Sequence, residues 1–247
     1  MKVIVLNTPG DVDRMAAEAI LGQIVSKPDS VIGLSTGRTT LEVHRRLVER
    51  CREVAPDLSE VTFFGIDEVV NVPREYSGAC YTMLKTQVID PLGICGRNFL
   101  MLPTVSDDFS RDCDRFMEEI SRRGGMDFIL LGLGENAHLG FNQPGSSFES
   151  GCRVSDMSPE LEERIRRETG TPDDVRLGGV TIGIADILAA RKLVLAAKGR
   201  SKAEAVKAMV EGPATEGVPA SALQLHPDTT IILDKEAASL LKPESCQ

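Results

Sequence analysis

Short runs of β-branched and leucine residues alternate along the chain with stretches whose apolar positions recur at helical spacing. Each run is too continuously apolar to have a wet face, so it predicts a strand buried on both sides, as in a parallel sheet. Strands are expected at Lys2–Leu6, Val31–Leu34, 61–66, 127–133, 192–197 and 229–233, and helices at 11–24, 40–52, 202–210 and 235–241. Alternating βα units predict an α/β fold: a three-layer, mostly parallel Rossmann-like sheet with helices on both faces and right-handed crossovers. No Pro/Ser-rich linker or fixed-period repeat divides the sequence, so a single domain over 1–247 is expected. The polar stretch 153–176 is expected to form helix, surface loops and a small lid.

Ligands of such sheets gather at the carboxyl ends of the strands. Residues 35–38, 67–68 and 134–143 all fall there, so three polar loops distant in sequence are expected to meet at one pocket.

Composition narrows what that pocket serves. A net charge of -9, with no run of Lys or Arg, argues against nucleic acid, and the absence of Trp removes the best stacking platform for bases. The cysteines (Cys51, Cys80, Cys95, Cys113, Cys152, Cys246) form no CxxC pair and have no His at ligand spacing, so they read as reduced thiols, not as a zinc site. No signal peptide opens the chain and no apolar run approaches a membrane span of roughly 20 residues. A cytoplasmic protein with no membrane partner is therefore expected.

Four segments carry candidate chemistry. Ser35, Thr36, Gly37, Arg38 and Thr39 lie between a buried strand and a helix, where N–H groups and hydroxyls suit a phosphate; an ordinary helix cap has the same look. Residues 198–202 (KGRSK) open another helix, and the alternative is a solvated charge cluster. Asp67 and Glu68 follow a strand: one could act as a general base while the other makes structural hydrogen bonds, or both could cap a helix. In residues 134–144 (GENAHLGFNQP) a Gly-flanked polar loop presents His138, the side chain best suited to move protons near neutral pH. His44, in a helical stretch, and His226, before a strand, read as structural.

These segments together resemble the glucosamine-6-phosphate deaminase/isomerase family, and within it the galactosamine-6-phosphate isomerase branch. The resemblance spans nearly the whole chain in order: S-T-G, D-E, G-E-N-A-H-L-G-F-N-Q-P, G-V-T-I-G at 179–183, K-G-R-S-K, and L-Q-L-H-P at 223–227. The related 6-phosphogluconolactonases share G-x-x-x-H but not H-x-x-F-N-x-P. The resemblance implies isomerisation of an amino-hexose 6-phosphate to a keto-hexose 6-phosphate with loss of ammonia, without metal or organic cofactor. It implies Asp67 as the base between C2 and C1 and His138 as the group that assists ring opening. Ser35, Gly37, Thr39, Lys202 and an arginine at 166 or 167 fall on its phosphate site, with Arg166 taken as the ligand. Three positions depart from the family pattern: Gln143 replaces a Glu that pairs with the histidine, Asn136 stands where some members carry Asp, and Arg38 replaces a glycine. Ser146 and Arg153 match a family allosteric segment, but Ser155 stands in place of a Lys. The family includes monomers and hexamers, so self-association is left open. A lactonase, or a sugar-phosphate sensor weakened at Gln143, are the competing expectations.

Overall fold

The computed structural model describes residues 1–245, and Cys246 lies outside the described residues. In chain order the elements are β1 (Lys2–Leu6), α1 (Pro9–Ser26), β2 (Val31–Leu34), α2 (Arg38–Val54), β3 (Thr62–Gly65), β4 (Asp67–Val70) and α3 (Cys80–Leu84). After a π-helical turn come α4 (Asp90–Leu92), β5 (Phe99–Leu100), α5 (Phe109–Arg122), β6 (Phe128–Gly132), β7 (Arg153–Ser155) and α6 (Pro159–Thr169). The remainder is β8 (Gly178–Thr181), α7 (Ile184–Leu188), β9 (Leu193–Ala197), α8 (Ala203–Glu211) and β10 (Thr229–Asp234).

Seven strands form a wholly parallel sheet in the order β1-β10-β9-β6-β2-β3-β5. The strand side-chain period of two divides its apolar residues between two layers. Along β6, Phe128 and Leu130 join α1 and α2 on one face, while Ile129 and Leu131 join α5, α7 and α8 on the other. The chain runs outward through β2, β3 and β5, then returns to place β6 on the other side of β2 and runs outward again through β9 and β10. This reversal makes a crevice at the carboxyl ends of β2 and β6, the place where doubly wound sheets bind ligands.

A second, antiparallel sheet has the order β4-β8-β7. Its Val69 packs with Phe141, Met157, Ile165 and Leu177 in a small third cluster under α6. The residues expected to end a strand, Asp67 and Glu68, thus begin β4 after a one-residue break at Ile66. The expected strand at 127–133 starts one residue later, because Asp127 turns its carboxylate to Lys27 Nζ (2.6 Å), Val31 N (2.9 Å) and Arg191 NH1 (2.9 Å).

One expected helix, 235–241, is a series of hydrogen-bonded turns. The Asp234 carboxylate accepts from Gly199 N (3.1 and 3.0 Å) and from Ala237 N (2.7 Å), which ties this segment to the loop after β9. Within 153–176, α6 is a well-bounded helix: Ser158 caps it, Pro159 opens it and Gly170 closes it in the left-handed conformation.

Candidate active site

The crevice holds a cavity of about 930 Å³. Three adjacent strands, β9, β6 and β2, end on it; the loop after β9 supplies Lys198, Ser201 and Lys202, the loop after β6 residues 133–136 with His138, Gly140, Phe141 and Gln143, and the loop after β2 residues 35–40. Asp67 reaches it from the start of β4, and α6 covers it with Leu161, Arg164 and Ile165. Of the residues singled out in the sequence, Ser35, Thr36, Gly37, Arg38, Thr39, Asp67, Asn136, His138, Gln143 and Lys202 all line this cavity.

Arg166 does not. Its guanidinium reaches Glu162 (2.6 Å), the Val175 carbonyl (3.2 Å) and the Pro172 carbonyl, closing the loop after α6 on itself. Helical geometry accounts for the correction, since Arg164 and Arg166 lie two residues apart and face different sides. Arg164 faces the cavity.

At the loop after β2, Gly37 has φ 131°, a conformation that a side chain would strain, and it is the N-cap of α2. No side chain caps this helix, so its first-turn N–H groups are open to an anion. Ser35 instead holds the sheet together, since its Oγ donates to Leu130 O (2.8 Å) and accepts from Gly132 N (3.3 Å), stitching β2 to β6. A second glycine, Gly199, precedes the 3-10 turn Arg200–Lys202 that leads into α8. Lys198, in the same loop, is paired with the buried carboxylate of Asp13. Among the described residues neither Lys202 nor Arg38 takes part in an ion pair, which leaves both for a ligand. Burial holds the Lys202 ammonium below its usual range, and nearby Glu135 opposes that shift.

Asp67 is 9% exposed. Burial pushes its carboxyl up to about 7, with the Cys80 thiol opposing and the Glu68 charge adding to the rise. Glu68 takes the structural role, accepting from the N–H groups of Val69 (2.8 Å), Cys80 (2.8 Å) and Tyr81 (2.7 Å). A carboxylate poised near neutrality can both take and return a proton.

The loop after β6 is built to hold His138. Ala137 sits at φ 63°, a strained conformation for a residue with a Cβ, and is fixed by hydrogen bonds from its N to Gly134 O (3.0 Å) and from Ala220 N to its own carbonyl (3.0 Å). Gly140, at φ 56°, passes so close that a Cβ would stand 2.7 Å from Thr181 Oγ1 and 3.3 Å from Asp67 Oδ2. Beyond it, Phe141 packs over Gly179, and fully buried Asn142 donates to Leu139 O and Ile182 O (both 2.9 Å) while accepting from Arg153 NH1 (2.9 Å). These contacts give the F-N segment its physical meaning: it clamps the histidine loop to β8.

The partner of His138 differs from expectation. Asn136, not Gln143, meets the ring, with Oδ1 2.7 Å from Nδ1, and Gln143 accepts from Asn136 Nδ2 at 3.0 Å. Burial, reinforced by the Lys202 charge, holds the imidazole below its usual pKa. His44 and His226 are structural as expected: His44 is fully buried against Gln87 and pushed down to about 4, and His226 bonds Ala190 O and Thr229. Further residues reach the cavity without having stood out in the sequence, among them Cys80, Met83 and Leu161. No local pattern marks Cys80, which arrives on a short helix after a long loop. Among the described residues no group of three or more His, Cys, Asp or Glu side chains could hold a metal ion, and no helix is long and apolar enough to cross a membrane.

A doubly wound sheet whose switch-point crevice joins two helix starts, unpaired cations, a buried carboxylate and a neutral imidazole defines an α/β protein equipped for proton transfer on a small anion. The chain belongs to the family of glucosamine-6-phosphate isomerases/6-phosphogluconolactonase, whose model matches residues 11–232. A glucosamine-6-phosphate deaminase of Halothermothrix orenii is 37% identical over 241 residues, covering 98% of this chain and all of the relative. Another from Thermoanaerobacter pseudethanolicus is 35% identical over 99% of this chain and 96% of its own. A monomeric glucosamine-6-phosphate deaminase superposes with a TM-score of 0.90 at 32% identity, over 97% of this chain and 100% of the other. The 6-phosphogluconolactonase of Trypanosoma cruzi shares the fold, with a TM-score of 0.79 at 22% identity over 98% of this chain and 97% of the other.

Proposed function

We propose that this chain is an aminosugar-phosphate deaminase/isomerase, converting glucosamine 6-phosphate or galactosamine 6-phosphate, with water, to a keto-hexose 6-phosphate and ammonia. The observation that carries the reading is the placement of Asp67 and His138 on one cavity with two uncapped helix starts. The phosphate sits on the N–H groups of the loop after β2, with Lys202, Arg38 and Arg164 neutralising it. His138 presents the lone pair of Nε2, taking the proton of the anomeric hydroxyl and returning it to the ring oxygen as the pyranose opens. Asp67 then removes the C2 proton and delivers it to C1, leaving a C2 imine that water hydrolyses to ketone and ammonia. The identity of the deaminases named above over nearly the full chain supports this reading over lactone hydrolysis.

The test is ammonia release from each aminosugar phosphate in a coupled assay, with 6-phosphogluconolactone hydrolysis run in parallel. Release from either aminosugar supports the reading and ranks the two substrates. Silence with both removes it, and hydrolysis of the lactone alone would assign the site to the lactonases.

A further inference from the structure

Glu68 does more than stabilise its own strand. By accepting from Cys80 N and Tyr81 N it grips the start of α3 and fixes where the Cys80 side chain points. That side chain is 4% exposed and stands between two functional segments. Thr36 Oγ1, in the loop after β2, donates to Cys80 Sγ at 3.1 Å, and Sγ donates to Asp67 Oδ1 at 3.5 Å. Among the described residues this thiol is the one side chain that hydrogen-bonds Asp67. A thiol suits the place because it accepts from Thr36 and still carries a proton to donate to Asp67.

We propose that Cys80 is a positioning residue: its thiol bridges the phosphate loop, through Thr36, to the carboxylate of Asp67, fixing that carboxylate's orientation and favouring its ionised form. The inference rests on the reading of Asp67 as general base. Burial, with the charges of Asp67 and Glu68, holds the Cys80 thiol well above its usual pKa, so it stays protonated and remains a donor. The ionisable groups around Asp67 are Glu68 on its own strand and Cys80 on α3, with His138, Glu135, Lys198, Lys202 and Arg38 from the strand-end loops and Glu160 and Arg164 from α6 facing the same cavity. The strand paired with it, β8, presents Thr181 at the opposite position, and the loop after β6 presents uncharged Gly140. The thiol is therefore the one group among these whose removal changes the hydrogen bonding of Asp67 without changing a charge.

The test is a carboxyl-carbon NMR titration of the full chain labelled at aspartate, in which Asp67→Asn assigns the resonance. Wild type, Cys80→Ala, Cys80→Ser and Thr36→Val are compared after thermal unfolding has established that each is folded. Loss of the donor in Cys80→Ala raises the Asp67 midpoint by about half a pH unit. Cys80→Ser, whose hydroxyl keeps both a donor and an acceptor, stays close to wild type, and Thr36→Val moves in the same direction as Cys80→Ala. An unchanged midpoint in Cys80→Ala, or a Cys80→Ser midpoint as displaced as that of Cys80→Ala, overturns the proposal. Should Cys80→Ala not fold, Thr36→Val decides: a midpoint equal to wild type then rejects the bridge. The titration requires no turnover, so a failed ammonia assay and a failed bridge are separate results. Where turnover is present, Cys80→Ala lowers kcat with KM little changed, and Cys80→Ser restores it.

Discussion

Asn136 Oδ1 receives two hydrogen bonds from His138, one from ring Nδ1 at 2.7 Å and one from the backbone N–H at 3.2 Å. A backbone N–H can only donate, so the second contact fixes which end of the amide faces the histidine. Nδ1 must then carry the ring proton, and Nε2 is left with a lone pair. Among the described residues no carboxylate hydrogen-bonds this relay, because the next residue in it, Gln143, is also an amide. The histidine is oriented as in an acid–base relay but is kept neutral.

That arrangement makes Asn136→Asp informative. A carboxylate in contact with the ring favours the imidazolium, so the His138 pKa rises by about one unit or more. Nitrogen–proton NMR of the imidazole reads it directly, and an unmoved titration would show that Asn136 does not hold the ring.

The pH dependence of kcat/KM should be set on its acid side by Asp67. The base must be ionised to take the C2 proton, and burial places that ionisation at about 7. The rate therefore climbs about tenfold per pH unit below that point and levels above it. Burial and the Lys202 charge hold the His138 pKa below its usual value, so any limb from its protonation falls toward the acid end of the profile. A profile flat down to the ordinary carboxylate range would remove Asp67 as the base.

The architecture and most cavity residues were legible because buried parallel strands leave continuous apolar runs and the loops that follow them are polar. The small sheet was not. Its strands β4, β7 and β8 are three or four residues long, and β4 follows β3 after one residue, so no turn signal separates them. Arg166 was misplaced for a related reason: a cluster of arginines on one helix offers no sequence signal of which member faces the cavity, and the helical phase of α6 selects Arg164. The roles of Asn136 and Gln143 depended on a three-residue network that spacing alone does not order.

Lys202→Ala tests the phosphate site. Removing an unpaired, half-buried cation beside a bound dianion costs about 1.5–3 kcal/mol of binding, a rise in KM of about tenfold to a hundredfold. Inorganic phosphate should weaken as a competitive inhibitor in parallel. If KM holds and only kcat falls, the lysine serves the chemistry and not the phosphate.

Asn142→Ala addresses stability. The side chain is fully buried and makes three hydrogen bonds, so truncation strands one Arg153 N–H and takes one donor each from the Leu139 and Ile182 carbonyls, which keep Asn142 N and Thr181 Oγ1 respectively. A loss of about 2–4 kcal/mol in denaturant unfolding is expected. Activity should fall as well, since the same bonds seat the His138 loop on β8.

Asp67→Asn should separate stability from activity through pH. The folded-state pKa of Asp67 is raised, from 3.8 to about 7. Between those values the unfolded chain releases the proton while the folded protein keeps it, so the wild type loses stability as pH rises through that window and then levels off. The neutral amide has no such linkage. The variant should therefore match the wild type below about pH 4 and gain on it toward neutrality, by a difference on the order of 4 kcal/mol at pH 8. Its turnover should be about a hundredfold to ten-thousandfold lower throughout, the usual contribution of a positioned base. Melting temperatures of the two proteins across pH 4–8 read the first effect, and a gap independent of pH would mean that burial does not shift this carboxyl.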